Sequence, residues 1–323
     1  MKRSGFRKFF VAVAAALPCA TAHAQEFPTK PVRVIAASTG TSGDLLARYL
    51  AQRLAEQWGQ SVIVENRSGA GAVVAAEVAA KAAPDGYTVH LGQLSSFGAA
   101  PSLYSKLGYD PLKDFAPLTL YAHVPLLIVA HPSVPAATLK EFLDYAKARP
   151  GAINYSSGGP GTAAHLTFEL LNFRTGLKLV HIPYKGVGAA TTAIIGGEVQ
   201  LSAVPIPVAL PQAKAGKVRA YAITSKNRFS GAPDVPTAAQ AGLPDFEATT
   251  WFAMYAPART PAPLLRKLQA DMVGVIRAPA TNAWLIAQGA DPAPGTPAEL
   301  TAFMQGEIRK WGDVIRTAGI KAE

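Results

Sequence analysis

Between Val32 and Leu91 short β-branched runs alternate with amphipathic stretches, and this alternation constrains the fold more than any other feature of the chain. Val32–Ala36 predicts a buried strand. Ser42–Gln57 has helical spacing, with Leu45, Leu46, Tyr49, Leu50 and Leu54 on one face. Ser61–Val64 predicts the next strand and Gly71–Ala82 an alanine-rich helix, stopped by the turn Pro84-Asp85-Gly86 before a third strand at Tyr87–Leu91. A βαβαβ order requires a parallel sheet covered by helices. The same logic recurs further on. Strands are expected at Leu126–Ala130, Ile153–Tyr155, Leu177–His181, Glu198–Ser202, Val218–Ile223 and Trp251–Tyr255. Helices are expected at Leu139–Ala148, Gly161–Phe173, Val187–Ile195, Pro263–Arg277, Thr281–Gln288 and Pro297–Ala318.

The first residues carry a processing signal rather than fold. Lys2, Arg3, Arg7 and Lys8 precede an apolar run, Phe9–Leu17, and a small-residue site, Ala22-His23-Ala24. That is the pattern of a secretory signal peptide, residues 1–24, with an apolar run too short to span a membrane. Lipidation at Cys19 is the rival reading, opposed by Pro18 directly before it. Cys19 is the sole cysteine, so the mature chain from Gln25 has neither disulfides nor thiolate chemistry. About 300 remaining residues exceed one compact core and suit two lobes. Without the signal cations the net charge falls from +10 to +6, which favours small anions by electrostatic steering. No dense Lys/Arg run interleaved with aromatics occurs, so nucleic-acid binding is unsupported.

Two strand-to-helix junctions are rich in hydrogen-bond donors. Ligands of open α/β sheets sit at strand carboxyl ends, where helix N-termini offer free N–H groups to anions. The first junction is Ala37–Asp44, with hydroxyls on Ser38, Thr39, Thr41 and Ser42, flexible Gly40 and Gly43, and Asp44 in the first helical turn. Capping by Thr41 or Ser42 is the plainer role for one of these hydroxyls. The second is Ser156–His165, with Ser157, Gly158, Gly159 and Thr162 as candidate contacts and His165 as a contact or a structural hydrogen bonder. Two such loops could clamp a ligand with two negative ends. Ser95 and Ser96 sit at a third strand end, and Val204-Pro205 at a fourth. In His181–Gly186, Lys185 reads as solvated or paired and Tyr184 as packing.

Catalytic signatures are missing. There is no GxSxG, GxxxxGK[ST] or HExxH motif, and no two of His90, His123, His131, His165 and His181 are three or four apart. A triad of Ser157, His165 and a distant aspartate is the one catalytic arrangement left open. No cofactor or metal site is expected.

Four segments, VENRSGAGAVVAAEVAAKAAPDGYTV (Val64–Val89), YSSGGPGTAAHLTFEL (Tyr155–Leu170), VHIPYKGVGAATTAIIGGEVQL (Val180–Leu201) and KWGDVIRTAGI (Lys310–Ile320), occur in this order and spacing. Together they resemble the Bug family, the solute-binding proteins of tripartite tricarboxylate transporters. The resemblance spans the mature chain. It implies a two-lobed α/β periplasmic binding protein of the type II kind, with a ligand cleft between the lobes. The lobes would comprise residues 25–122 plus 246–323, and 123–245, crossing near Leu118–Val129 and Phe246–Ala256. It implies a non-enzymatic monomer that captures a small organic carboxylate, a dicarboxylate of aliphatic or aromatic kind, for membrane permease subunits. A sensor docking on a receptor kinase and a periplasmic hydrolase are the alternatives. The family's first loop is PFPPGGGTD-like; here the aspartate is kept and Ser and Thr replace much of the rest, favouring side-chain donors. Many relatives carry Phe-Asp near Val204-Pro205, and its absence favours ligands without an amine.

Overall fold

The structure, a computed structural model, describes residues 27–321. The expected signal peptide and Cys19 lie outside them. The chain begins with β1 (Val32–Ala36), α1 (Ser42–Trp58), β2 (Val62–Asn66), a 3-10 turn (Ala70–Ala72), α2 (Val73–Ala80) and β3 (Thr88–Gln93). A π-helical turn (Leu94–Ala99) runs into α3 (Ala100–Leu103), then β4 (Phe115–Val124). The middle comprises β5 (Leu126–Ala130), α4 (Leu139–Lys147), β6 (Asn154–Ser157), α5 (Ala163–Thr175), β7 (Val180–Pro183), α6 (Val187–Ile195), β8 (Leu201–Pro205), α7 (Ile206–Lys214) and β9 (Arg219–Ile223). The chain closes with β10 (Thr250–Pro257), α8 (Ala262–Arg277), α9 (Pro279–Ala287), β11 (Asp291–Pro292) and α10 (Pro297–Ala318).

These elements form two sheets and hence two lobes. One has the order β11-β4-β10-β3-β1-β2, the other β7-β6-β8-β5-β9. β1 and β3 are buried on both faces, as parallel strands sandwiched by helices must be. On one face of the first sheet, Leu46, Leu50 and Leu54 of α1 pack with Leu268 and Met272 of α8. The buried stripe of α1 starts at Gly43 and runs through Leu46, Ala47, Leu50, Ala51 and Leu54, so Leu45 falls off it and is 45% exposed, contrary to the expected face. Tyr49 is half-buried and stacks on Trp284, ring centroids 3.8 Å apart.

The chain changes sheets at Pro125, between β4 and β5, and returns between β9 and β10. Thr224, fully buried, ties the crossing segments together. The Leu126 N–H donates to its Oγ1 at 2.9 Å, its own N–H donates to the Leu126 carbonyl, and the Ala248 N–H donates to its carbonyl at 3.0 Å. Beside this crossing, Glu307 of α10 accepts the indole N–H groups of Trp251 and Trp311 at 2.8 Å each, and Lys310 at 2.9 Å. The Lys310-Trp311 pair of the terminal signature therefore serves packing of α10.

Several strands extend further towards their carboxyl ends than the sequence suggests. β3 continues to Gln93, β6 to Ser157, β7 to Pro183 and β8 to Pro205, because ladder pairing persists there: Ser156 pairs with Ser202 and Ser157 with Pro183. Ser157 thus ends β6 instead of opening the loop, and Val204-Pro205 ends β8. The 3-10 and π-helical turns, α3, the start of β4, β11 and α7 were not foreseen; α7 contains Pro207 in its first turn and Pro211 inside, which hide it from a reading of helical propensity.

Candidate functional site

Strand direction assembles the site. β1, β2 and β3 are parallel, and β10 is antiparallel to both β3 and β4, so the carboxyl ends of β1 to β4 point the same way. That of β4, Val124, adjoins the crossover. In the second sheet β6, β7 and β8 are parallel, and β5 runs against β8 with Leu126 opposite Pro205. The carboxyl ends of both parallel sets therefore gather at the crossing strands, and those of β1, β6 and β7 lead through a loop into a helix N-terminus. This is the crevice position where open α/β sheets take ligands.

In the first lobe, Thr41 caps α1: its hydroxyl accepts the Asp44 N–H at 3.3 Å and donates to the Ser38 carbonyl at 2.8 Å. The buried Asp44 carboxylate is fully engaged by the protein. It accepts the Gly40 N–H and the Asn66 amide at 3.0 Å each, and lies 3.0 Å from the Arg48 guanidinium. Burial alone would raise its pKa, but the bonds from Gly40, Arg48 and Asn66 outweigh it and hold the carboxyl below its ordinary value. Asp44 is thereby a brace for the loop. Gly40 adopts the left-handed φ of 74° that the turn needs. Among the described residues, no protein partner engages the hydroxyls of Ser38, Thr39 and Ser42 or the amide N–H groups of Ser42 and Gly43. Gly43 has no room for a side chain, since a Cβ would come within 2.8 Å of Phe252.

Ser95 and Ser96 bind neighbouring loops. Gln93 donates to Ser95 Oγ at 2.8 Å, and Ser95 donates to the Gly71 carbonyl at 2.7 Å. Ser96 is fully buried, donates to the Gln93 carbonyl at 3.3 Å, and its own carbonyl accepts the Tyr109 hydroxyl. Tyr104 donates to the Ala70 carbonyl at 3.1 Å. These bonds hold Ala70 and Ala72 at φ of 45° and 76°, strained values for residues with a side chain. Asn66, just past a predicted strand, and the 69–72 loop were missed by sequence reasoning, which starts a helix at Gly71 where the structure has a 3-10 turn and α2 begins only at Val73; Gln93 belongs to the same strand-end cluster as Ser95 and Ser96.

In the second lobe, Ser157 Oγ lies 2.6 Å from His181 Nε2 and accepts the Gly159 N–H at 3.1 Å. Thr162 stands at the N-cap of α5, yet its hydroxyl turns back to the Gly159 carbonyl at 2.7 Å and caps nothing. His165 Nδ1 accepts the Gly161 N–H at 3.0 Å. The His165 and His181 rings stack at 3.9 Å and 8°. Burial lowers the pKa of His165 to about 3, with His181 adding to the effect, and that of His181 to about 4, so both are neutral at pH 7. Gly158 fits against the backbone of Gly186 and Val187, which a Cβ would approach to 3.1 Å. Val204 is buried in the core of this lobe and Pro205 is partly exposed at the start of α7. Lys185 is exposed and in no ion pair among the described residues. Ser157 is beside His181 rather than His165, so the triad left open by the sequence does not form.

Among the described residues, no group of three His, Cys, Asp or Glu side chains could hold a metal, and no helix is long and apolar enough to cross a membrane. What the site offers is uncharged donors on strand-end loops of both sheets, suited to an anionic or polar small molecule.

The sequence matches the family described as "Tripartite tricarboxylate transporter family receptor" over residues 46–320. It is 36% identical to Protein BugT of Bordetella pertussis, the alignment covering 96% of this chain and 95% of BugT. Among solved structures, R. palustris Rpa4515 with adipate superposes with a TM-score of 0.81 at 34% identity, covering 92% of this chain and 99% of that one. MatC from Rhodopseudomonas palustris with bound malate superposes with a TM-score of 0.77 at 35% identity, covering 90% and 100%.

Proposed function

The chain belongs to the tripartite tricarboxylate transporter receptor family, and from that premise we propose that it is a periplasmic solute-binding protein that captures a small organic dicarboxylate and hands it to membrane permease subunits. The observation that carries this reading is the pairing of two donor-rich, uncharged strand-end loops at the crossover of two sheets. One carboxylate docks on the hydroxyls of Ser38, Thr39 and Ser42 and the first amides of α1. The other docks on the Ser157–Thr162 loop. The first lobe carries the elements at both ends of the chain and the second those between the crossings, and closure about the crossing strands traps the ligand. Adipate and malate, bound by the two solved relatives, set the size range. The protein acts as a binder rather than a hydrolase, in keeping with its match to a family of receptors.

The affinity is physically reasonable. Six hydrogen bonds to charged oxygens give about 9–18 kcal/mol gross. Loss of freedom subtracts several kcal/mol, leaving room for the roughly 8 kcal/mol of a micromolar ligand.

A thermal-shift screen of the chain from Gln25 against aliphatic and aromatic dicarboxylates, tricarboxylates and acidic amino acids tests this. A ligand at about 100 times its Kd adds about 2.7 kcal/mol. A selective rise with dicarboxylates is expected; no rise with any carboxylate on folded, ligand-free protein rejects the proposal.

A further inference from the structure

We infer that His181 and His165 act as a stacked positioning pair that sets the shape of the second lobe's ligand loop, each holding one end of it through an uncharged ring nitrogen. This rests on the proposed use of the Ser157–Thr162 loop for ligand. His181 comes from β7 and meets Ser157, the last residue of β6, at 2.6 Å. His165 comes from the first turn of α5 and takes the Gly161 N–H on Nδ1 at 3.0 Å. The glycine-rich segment between these anchors has left-handed φ values of 120° at Gly159 and 71° at Gly161, so it has little rigidity of its own. Face-to-face stacking at 3.9 Å couples the two anchors. The cluster continues in Tyr155 of β6, whose ring stacks on His181 at 5.0 Å and whose hydroxyl donates to Glu169 at 2.6 Å. Glu169, on α5, lies 4.0 Å from His165 Nε2.

The bond to Gly161 demands an uncharged His165 ring, and the stack disfavours charge on both rings at once. His165 Nδ1 must carry a lone pair to accept from Gly161, which places the ring proton on Nε2, towards Glu169. A proton on Nδ1 would set N–H against N–H and release Gly161. Two imidazolium ions at 3.9 Å would also repel each other. The pair thus differs from a catalytic His, which must gain and lose a proton; here it must do neither. Its contribution to binding is preorganisation of Ser157 and of the Gly159 and Gly161 backbone.

The test compares variants that keep the ring stack with variants that keep the hydrogen bond. His165→Phe and His181→Phe retain an aromatic ring and lose the nitrogen. His165→Asn and His181→Gln place a polar atom near the lost one. Titrations with adipate and with malate should show Kd raised about tenfold in each Phe variant and held within about threefold in the amide variants. Equal affinity of wild type and both Phe variants overturns the inference. If wild type binds neither probe, the dicarboxylate reading fails on its own, and the pair is judged in ligand-free protein. There, faster exchange of the Gly159 and Gly161 amides in the Phe variants supports positioning, and unchanged exchange refutes it. Nitrogen NMR of the wild type adds a readout independent of variant folding: His165 must be the Nε2–H tautomer, and an Nδ1–H tautomer overturns its assigned role.

Discussion

The two halves of the cleft share one architecture, strand to loop to helix at the edge of a parallel sheet, but they are locked differently. In the first lobe the loop is braced by charge: Asp44 gathers Gly40, Asn66 and Arg48 around a buried carboxylate. In the second lobe the loop is braced by neutral rings, His165 on Gly161 and His181 on Ser157. The consequence appears in what remains free. The charged brace leaves the hydroxyls of Ser38, Thr39 and Ser42 without a protein partner among the described residues, whereas Ser157 and Thr162 are tied to their own loop. The first lobe thus presents side-chain donors and the second mainly a shaped backbone. The lesson is that a serine-rich strand end is not by itself a donor set; its internal bonds decide what it can offer.

The sharpest way to break the comparison is to remove the charged brace. Asp44→Ala leaves Gly40, Asn66 and the Arg48 guanidinium without their acceptor, and unfolding free energy should drop by about 2–4 kcal/mol. Urea denaturation reads this directly. A loss under about 1 kcal/mol would mean that the loop does not depend on Asp44.

Acid separates the two locks. His165 and His181, held at about 3 and about 4, are depressed below the ordinary 6.5, as are His90, at about 4, and His123, all chiefly by burial. An unfolded chain binds protons that the folded one refuses. Their stability is therefore fully present above pH 6.5 and is lost as pH falls towards 4. For fully buried His90 alone the loss is about 3 kcal/mol. Asp44 is depressed as a carboxylate, so its contribution persists above its ordinary 3.8 and is lost only below it. Melting curves from pH 7 should show a decline governed by histidines, shallower in the double variant His165→Asn/His181→Gln, joined below about pH 4 by the loss from Asp44 and the other depressed carboxylates, Glu65 and Asp110. A flat profile between pH 6.5 and 4 would contradict neutral buried imidazoles.

Replacing Ser38 and Ser42 by Ala and Thr39 by Val tests the free hydroxyls. Binding should weaken roughly 10- to 100-fold, corresponding to about 1–3 kcal/mol, while stability stays within about 0.5 kcal/mol, because no folded-state bond is lost. Ser96→Ala should do the reverse, since its hydroxyl is spent on the Gln93 carbonyl. Calorimetric titration beside urea melts distinguishes the two.

Much of this was legible in the sequence, for a physical reason. Hydrophobic period marks elements that bury one face, and β1, β5 and α6 fall where the period places them. Position at a strand-to-helix junction marks the candidate loops. What the sequence hid are bonds between residues far apart in the chain. Ser95 reaches Gly71 and Ser157 reaches His181, and neither spacing carries a periodic signal. α7 was hidden because Pro211 argues against a helix interior, and Leu45 was misplaced because Gly43 rather than Leu45 starts the buried stripe.

The smallest effect discriminates the two threonines that begin the cleft helices. Both occupy N-cap positions, where a threonine hydroxyl ordinarily caps the helix. Thr41 accepts the Asp44 N–H, whereas the Thr162 hydroxyl is 2.7 Å from the Gly159 carbonyl and leaves the α5 amides uncapped by its side chain. Thr41→Ala should therefore cost about 1 kcal/mol, the usual loss of a cap. Thr162→Ala removes one partly exposed bond to a carbonyl that also accepts from the Thr162 amide, and should cost about half as much. Ligand affinity should respond in the opposite order, because Thr162 shapes the backbone that the second lobe presents, whereas Thr41 secures a helix already braced by Asp44. Equal stability losses would show that Thr162 caps α5 in solution, and side-chain capping would then no longer distinguish the first lobe from the second.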